Sequence, residues 1–229
     1  MEFNILIISD TICPWCFIGY RRLRLAISQH LATHPNDTFS VSWHPFQLNP
    51  NAPKGQTSDK RAVYERNYGA EQTELIFERL RTAAKGTGIN FSFEGQTGST
   101  LDSHRLLEYA AAKDTAGAGR RKGSLSGMQT RLAEELFGDY FERERDITSH
   151  DVLVNAAKRA GLDGVEARKF LESDALAKEV AEKARMPREN GINGVPHFSI
   201  NDTFTVEGAQ EPAAFLMLFR RLRKRQMKM

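Results

Sequence analysis

Two cysteines that lie three residues apart constrain this chain more than any other feature. The motif Cys13-Pro14-Trp15-Cys16 directly follows Phe3 to Ser9, apart from three turn residues, and that run is nearly all apolar. Such a run is typical of a strand buried on both faces of an α/β sheet. After the motif, apolar residues recur at helical spacings of three and four. Pro14 suits the first turn of that helix, where its missing N–H costs little. The motif is therefore predicted to join a buried strand to a helix.

No other cysteine occurs among the 229 residues. A zinc site or a disulfide framework would need further cysteines, so neither is expected here. The first basic residue is Arg21, and no apolar run approaches the ~20 residues of a membrane span. We therefore expect a cytoplasmic protein without a secretory signal or a membrane partner. In that compartment a close pair of cysteines is more often catalytic than structural.

The remaining pattern predicts a second strand, a long helical middle and a hairpin near the end. Thr38 to His44 alternates as a half-buried strand, parallel to the first, and residues 45–60 read as a long loop. Asn201-Asp202 is a turn-prone pair between strands at 197–200 and 203–206, before a final helix. The helices expected in the middle are Arg61–Gly69, Glu71–Lys85, Ser103–Thr115, Leu125–Phe137, Asp151–Ala160, Val165–Glu172 and Asp174–Met186.

This element order predicts an α/β chain with a thioredoxin fold that carries a large, all-helical inserted domain. The thioredoxin-like part is expected to comprise residues 1–58 plus 187–229, and the insertion residues 59–186. Pro187 is expected to stop or kink the last helix of the insertion, because a proline ring removes a backbone hydrogen bond there. Thr148-Ser149-His150-Asp151 and Ser173-Asp174 supply candidate helix N-caps.

The position of the motif predicts different roles for its two thiols. Cys13 lies at the first turn of the helix, where unpaired N–H groups and the helix dipole favour the attacking thiolate. Cys16, one turn further on, is expected to be more buried and to act second. Val195-Pro196 precedes the predicted strand 197–200, and X–Pro is the bond type for which a cis peptide is cheap. A cis Pro196 would bring the backbone of Val195 beside the motif, where it could pair with an extended substrate.

These residues resemble the DsbA family over nearly the whole chain, and most closely its FrnE-like branch. That branch is also similar to 2-hydroxychromene-2-carboxylate isomerases and kappa-class glutathione transferases. The matching segments are CPWC after Ser9-Asp10, Gly194-Val195-Pro196, Pro45 to Pro50, Ser103 to Leu106, and Val206 to Gln210. The resemblance implies a thioredoxin fold with a helical insertion, a Cys13 nucleophile, a resolving Cys16 and a cis Pro196. In relatives a region matching Gln47, Asn49 and Lys54 lines a glutathione site, but in this chain the same region could equally be a loop that faces solvent.

Several further residues allow two interpretations each. Trp15 and Pro14 could contact substrate, or the indole ring could pack on the insertion. Asp10 could relay protons or stabilise a turn, and His104 could face the active site or act as a local cap. His44 and His197 could bracket the site or be ordinary core or surface residues. No histidine pair has a zinc-like spacing, so no metal is expected.

The C-terminal ten residues are basic although the chain as a whole carries a net charge of only +3. Cations there complement the dipole at the end of a helix, and no groove-reading motif accompanies them, so no nucleic-acid partner is expected. The six basic side chains are Arg220, Arg221, Arg223, Lys224, Arg225 and Lys228.

Three functions remain open from the sequence. The leading one is a thiol–disulfide oxidoreductase that acts on protein or small-molecule disulfides without a tightly bound cofactor. The second is a glutathione-dependent isomerase or transferase on an aromatic or polyketide-like substrate, with the insertion roofing an apolar pocket. The third is a non-catalytic binding module that presents its Val195 edge. The first cysteine position is usually Ser in the isomerase relatives, so Cys13 together with Cys16 favours the first. A monomer and a homodimer are both compatible with the sequence.

Overall fold

The structure is a computed structural model and describes residues 1–116, 125 and 127–226. Strands and helices alternate at the start of the chain, and helices dominate its middle. In chain order the elements are β1 (Glu2–Ser9), α1 (Pro14–Thr33), β2 (Thr38–Pro45), β3 (Thr57–Asp59), α2 (Lys60–Tyr68), α3 (Ala70–Ala83), β4 (Gln96–Gly98), α4 (Leu101–Ala116), α5 (Met128–Phe141), α6 (His150–Ala160), α7 (Gly164–Glu172), α8 (Ala177–Glu189), β5 (His197–Ile200), β6 (Phe204–Glu207) and α9 (Pro212–Gln226).

A four-stranded sheet in the order β2-β1-β5-β6 forms the base of the molecule. β1 is parallel to β2, with Ile5 opposite Val41, and antiparallel to β5, with Ile5 opposite Ile200. The parallel pairing of the first two strands is thus confirmed. The first half of β1 alternates between exposed and buried residues, and its last three residues are all buried. β1 is therefore buried on both faces only near its end, directly before the CPWC motif.

Most of the insertion shares one apolar core with the sheet, and a second, smaller apolar cluster comprises Ile18, Phe77, Leu80, Ala84 and Phe93. α4, α5 and α8 all contact β2, and one continuous cluster of buried apolar side chains runs from the sheet into α4–α7. Phe17 of α1 stacks on Phe137 and Phe141 of α5, with ring centroids 5.1 and 6.1 Å apart. This packing holds the start of α1, and hence the cysteines, between the sheet and the inserted helices.

All seven helices expected in the middle of the chain are present, with shifted ends. The insertion is not all-helical, because β4 lies within it and pairs antiparallel with β3, which crosses the expected boundary after residue 58. Each of these strands has only three residues, too few to produce a recognisable alternation in the sequence. α5 begins at Met128, after the expected start at Leu125. Of the predicted N-caps, Ser149 precedes α6, whereas α8 follows Leu176 and not Ser173-Asp174.

Pro187 does not stop its helix, which was one of the two outcomes expected from the sequence. It lies inside α8, which continues to Glu189, so the expected boundary at residue 187 falls within a helix. A proline in the last turn removes only one backbone hydrogen bond. Contacts of the next residue stabilise the continued helix: the Arg188 guanidinium donates to the Gln47 carbonyl at 2.6 Å and lies 4.0 Å from the Phe46 ring centroid.

The turn and the final helix agree with the sequence. Asn201 and Asp202 have φ values of 50° and 51°, the left-handed region that turn-forming Asn and Asp tolerate. Near the end of α9, Arg223 donates to both carboxylate oxygens of Asp37 at 2.5–2.6 Å. Burial alone would raise the pKa of Asp37, but hydrogen bonds from the Met1 amino group, His30 and Arg223 hold it well below its ordinary value. Lys228 lies outside the described residues.

Candidate active site

Cys13 is the residue that precedes the first turn of α1. Its backbone is extended (φ −89°, ψ 113°), and its carbonyl accepts hydrogen bonds from the N–H groups of Cys16 at 3.0 Å and Phe17 at 3.3 Å. Pro14 occupies the start of the helix, where no N–H is required. The Cys13 thiol therefore lies where the helix dipole favours negative charge.

The Val195–Pro196 peptide bond is cis, as predicted. The Cys13 Sγ is 3.6 Å from the Val195 carbonyl oxygen, so the loop before β5 meets the motif directly. Gly19 permits this approach, because a Cβ at that position of α1 would lie 3.0 Å from Pro196 Cγ and 3.1 Å from the Phe198 ring. The loop is tied to the end of β6 by the Gly208 N–H, which donates to the Pro196 carbonyl at 2.9 Å.

Cys16 has a different environment from Cys13. Both thiols are free, but Cys16 is fully buried, whereas Cys13 keeps about 4% of its surface exposed. Burial raises the pKa of the Cys16 thiol well above its ordinary value, and the neighbouring Cys13 raises it further. The Ser9 hydroxyl and the backbone of Asp10 oppose that rise. Cys16 therefore holds its proton more strongly than an exposed thiol does.

Asp10 and His104 join the motif to the loop after β2. Asp10 is fully buried and accepts from the Leu48 N–H at 2.7 Å. His104 Nε2 lies 3.0 Å from the Phe46 carbonyl and 3.2 Å from Asp10 Oδ1. Since a carbonyl only accepts, that nitrogen carries the proton and donates to both oxygens. His104 is thus a long-range tie and not a local helix cap, and Asp10 binds the backbone of another segment.

An open cleft of about 580 Å³ lies beside Cys13. Ile12, which directly precedes Cys13, lines it together with Asn49, Lys60 and Tyr64. Burial lowers the pKa of Lys60 from 10.5 to about 8. The Lys60 ammonium donates to the Tyr140 carbonyl at 2.6 Å and lies 4.0 Å from the Tyr140 ring centroid. Sequence reasoning missed Lys60, Tyr64 and Tyr140, since no local pattern links these residues.

The other residues predicted for the site are either packed in the interior or exposed at the surface. Trp15 is half-buried against both apolar clusters, and the Arg79 guanidinium lies 5.5 Å from its ring centroid. The indole therefore packs on the insertion, and its contact with substrate stays a prediction. Gln47 is buried, and Lys54 is exposed 4.0 Å from Asp174. His44 is half-buried and His197 is buried at the start of β5.

Within ranges 1–116 and 127–226 and at residue 125, no group of three or more His, Cys, Asp or Glu side chains is arranged to hold a metal ion. In the same part of the chain, no helix has the length and apolarity that crossing a membrane requires.

Residues 4–219 match the model of the DsbA-like thioredoxin domain. The chain belongs to this family. A probable DsbA oxidoreductase from Streptomyces coelicolor is 27% identical, with a TM-score of 0.80 over 96% of this chain and 89% of that one. Two further solved structures share the fold at lower identity, over 98% or more of both chains. A 2-hydroxychromene-2-carboxylate isomerase is 13% identical with a TM-score of 0.67, and the cytosolic disulfide reductase DsbM from Pseudomonas aeruginosa with GSH is 15% identical with a TM-score of 0.59.

Proposed function

We propose that this DsbA-like protein is a thiol–disulfide oxidoreductase that forms a mixed disulfide on Cys13 and resolves it with Cys16. One observation carries the proposal: the two free thiols lie in unequal environments at one helix start. Cys13 Sγ is beside the Val195 carbonyl at 3.6 Å, next to an open cleft, and Cys16 is fully buried behind it.

The proposed reducing cycle needs only the two thiols and a substrate disulfide. The Cys13 thiolate attacks one sulfur of the substrate, the substrate disulfide breaks, and one substrate thiol leaves with a proton. The Cys16 thiolate then attacks the Cys13 sulfur, releases the second substrate thiol and leaves the Cys13–Cys16 disulfide. The substrate gains two electrons and two protons, and the enzyme loses them. The oxidising direction is the reverse.

Replacement of each cysteine tests this division of work. Cys16→Ser should retain the first attack, stop turnover and accumulate a covalent adduct with a disulfide substrate such as insulin, detectable by intact mass. Cys13→Ser should form no adduct and is the matched control. Equal loss of adduct in both variants, or full turnover by Cys16→Ser, would contradict the proposal. Turnover of an aromatic substrate by Cys16→Ser would instead support a glutathione-dependent isomerase or transferase, because that chemistry needs one activated thiol.

Glutathione is the second part of the proposal, as co-substrate and not as a bound cofactor. The wall of the cleft beside Ile12 includes Lys60 and several polar side chains, and a peptide with two carboxylates needs a cation and hydrogen-bond donors of this kind. Lys54, which the resemblance implied, does not line this cleft among the described residues. Lys60→Gln should therefore raise the KM for glutathione disulfide, and Lys54→Gln should not. A higher KM in Lys54→Gln with an unchanged KM in Lys60→Gln would place glutathione on the part of the loop after β2 that contains Lys54.

The direction of the reaction and a cytosolic location also belong to the proposal. If the protein works as a reductant in the cytosol, its Cys13–Cys16 pair should have a reduction potential at or below that of the glutathione pool. The equilibrium between the protein and defined ratios of reduced and oxidised glutathione measures this. A potential well above that of the pool would favour an oxidant.

A further inference from the structure

An arginine on α1 joins three separate segments of the molecule. The side chain of Arg22 is only 12% exposed. Its Nη1 donates to the Ala209 carbonyl at 2.5 Å, and its Nη2 donates to the Ala83 carbonyl at 3.0 Å. Nη2 also lies 2.6 Å from a carboxylate oxygen of Glu211. The guanidinium, a fixed planar fork of donors, thus connects α1 to the end of α3 and to the loop between β6 and α9.

The loop that Arg22 holds is bonded in turn to the loop before β5. The Gly208 N–H donates to the Pro196 carbonyl at 2.9 Å, and the φ of Gly208 is 72°, in the left-handed region that favours glycine. Pro196 directly follows Val195, whose carbonyl oxygen lies 3.6 Å from the first thiol of the motif. A short series of contacts therefore leads from Arg22, through Ala209 and its neighbour Gly208, to the Val195 edge.

Gly19 lies one turn before Arg22 on the same face of α1. A Cβ on Gly19 would lie 3.0 Å from Pro196 Cγ and 3.4 Å from Ala209 Cα, so both loops rest directly on this face. The two residues have different effects on the loops, because Gly19 leaves room for them and Arg22 bonds one of them. The helix that begins at the CPWC motif thus also supports the backbone edge beside that motif.

The hydrogen bonds to the two carbonyls matter more than the ion pair. The Glu211 carboxylate is 70% exposed, and an ion pair with a partner in solvent contributes little. Hydrogen bonds from a charged donor are roughly twice as strong as those between neutral groups. Loss of the fork would also leave the Ala209 and Ala83 carbonyls without this donor. We therefore expect Arg22 to fix the loop through its carbonyl contacts and not through its charge alone.

We propose that Arg22 is a positioning residue, which keeps the Val195 edge in place beside Cys13 for an extended polypeptide substrate. The proposal rests on the proposed function and deepens it, because it makes peptide and protein disulfides the substrates that use this edge. A small disulfide has no backbone to pair with the edge and reaches Cys13 without it. Arg22 acts only through the loop between β6 and α9 and takes no part in the exchange of thiols.

Two disulfides of different length test this role in the full-length protein. Arg22→Gln should raise the KM for a disulfide-linked peptide dimer by about tenfold and leave kcat unchanged. Its reaction with dithiodipyridine, a small aromatic disulfide, should keep the wild-type rate. Amide exchange at Gly208 should become faster, because the loop loses an anchor. Arg22→Lys keeps the charge but not the fork, so it should behave like Arg22→Gln.

Arg24→Gln is the matched control, because Arg24 lies on the same helix and pairs with Glu134 of α5. It should leave both the peptide KM and the Gly208 exchange at wild-type values. Gly19→Ala is a second variant that keeps the test open if Arg22→Gln does not fold. Its added methyl group displaces the same loops by contact, so it too should raise the peptide KM and spare the reaction with dithiodipyridine.

Three results would overturn the role of Arg22. They are a wild-type peptide KM in both Arg22→Gln and Gly19→Ala, a wild-type peptide KM in Arg22→Lys, and equal slowing of the peptide and dithiodipyridine reactions. A wild-type protein that forms no mixed disulfide on Cys13 with the peptide would refute the proposed function. Normal turnover by the wild type and by every Arg22 and Gly19 variant would refute the role of Arg22 alone.

Discussion

The two sides of the CPWC motif differ in almost every physical property. The cleft that Ile12 and Tyr64 line has a volume of about 580 Å³, whereas a small cavity that Ser9 and Phe137 line has a volume of about 10 Å³. The wall of the cleft comes mainly from the loop after β2 and from α2, whereas the wall of the cavity comes from β1, β2, α4 and α5. Cys13 therefore lies near a space large enough for a substrate, whereas Cys16 is fully buried in a densely packed region.

This difference fits the two chemical roles that we propose for one helix start. The proposed nucleophile Cys13 lies 3.6 Å from the Val195 carbonyl, the backbone edge that we propose for the substrate. The proposed resolving thiol of Cys16 is shielded from solvent by packed side chains. Close packing limits the inner side, since protein interiors are as dense as organic crystals. Substitutions on the two sides should therefore differ in kind as well as in size.

The largest difference should appear when a ring is removed from each side. Phe17→Ala removes a fully buried ring that stacks on Phe137, a residue of the cavity wall, and should cost about 3–5 kcal/mol of unfolding free energy. Tyr68→Ala removes a ring that lines the cleft and is 56% exposed, and should cost at most about 0.5 kcal/mol. Urea unfolding measures both. Similar losses would mean that the cleft side is packed as tightly as the core.

The sequence predicts the inner side of the motif better than the outer side. The buried end of β1, the helix after Cys13 and the seven middle helices all follow from local periodicity, which one segment is enough to reveal. The close contact of Val195 with Cys13 was also predictable, because X–Pro before a strand is an unusual signal. The cleft was not predictable from the sequence, because its residues Ile12, Lys60 and Tyr140 come from three distant segments. Pro187 shows that a local signal can also mislead. A proline is expected to end a helix, but the tertiary contacts of Arg188 stabilise the helix beyond it.

The pH dependence of stability should distinguish the buried lysine in the cleft wall from an exposed lysine. The pKa of Lys60 falls from 10.5 to about 8 on folding because burial disfavours its charge. Between these two values the unfolded chain binds more protons, so the wild type should gain stability as pH rises through this window. Relative to Lys60→Met, the gain should approach about 3 kcal/mol. Unfolding at a series of pH values measures it, with Lys54→Met as the exposed control. A constant difference between the wild type and Lys60→Met would place Lys60 in solvent.

A smaller effect is expected at the tie between the two sides. Asp10→Asn keeps the shape of the side chain but removes the charge that accepts from Leu48 N–H and His104. A weakened acceptor for buried donors should cost about 1–3 kcal/mol and speed amide exchange at Leu48, which begins the cleft wall. Asp174→Asn is the control, because that carboxylate is 96% exposed and should change stability by at most about 0.5 kcal/mol. Faster exchange at Leu48 with an unchanged rate of resolution by Cys16 would show that Asp10 holds the cleft wall only. Slower resolution in Asp10→Asn would show that Asp10 also acts on the buried thiol.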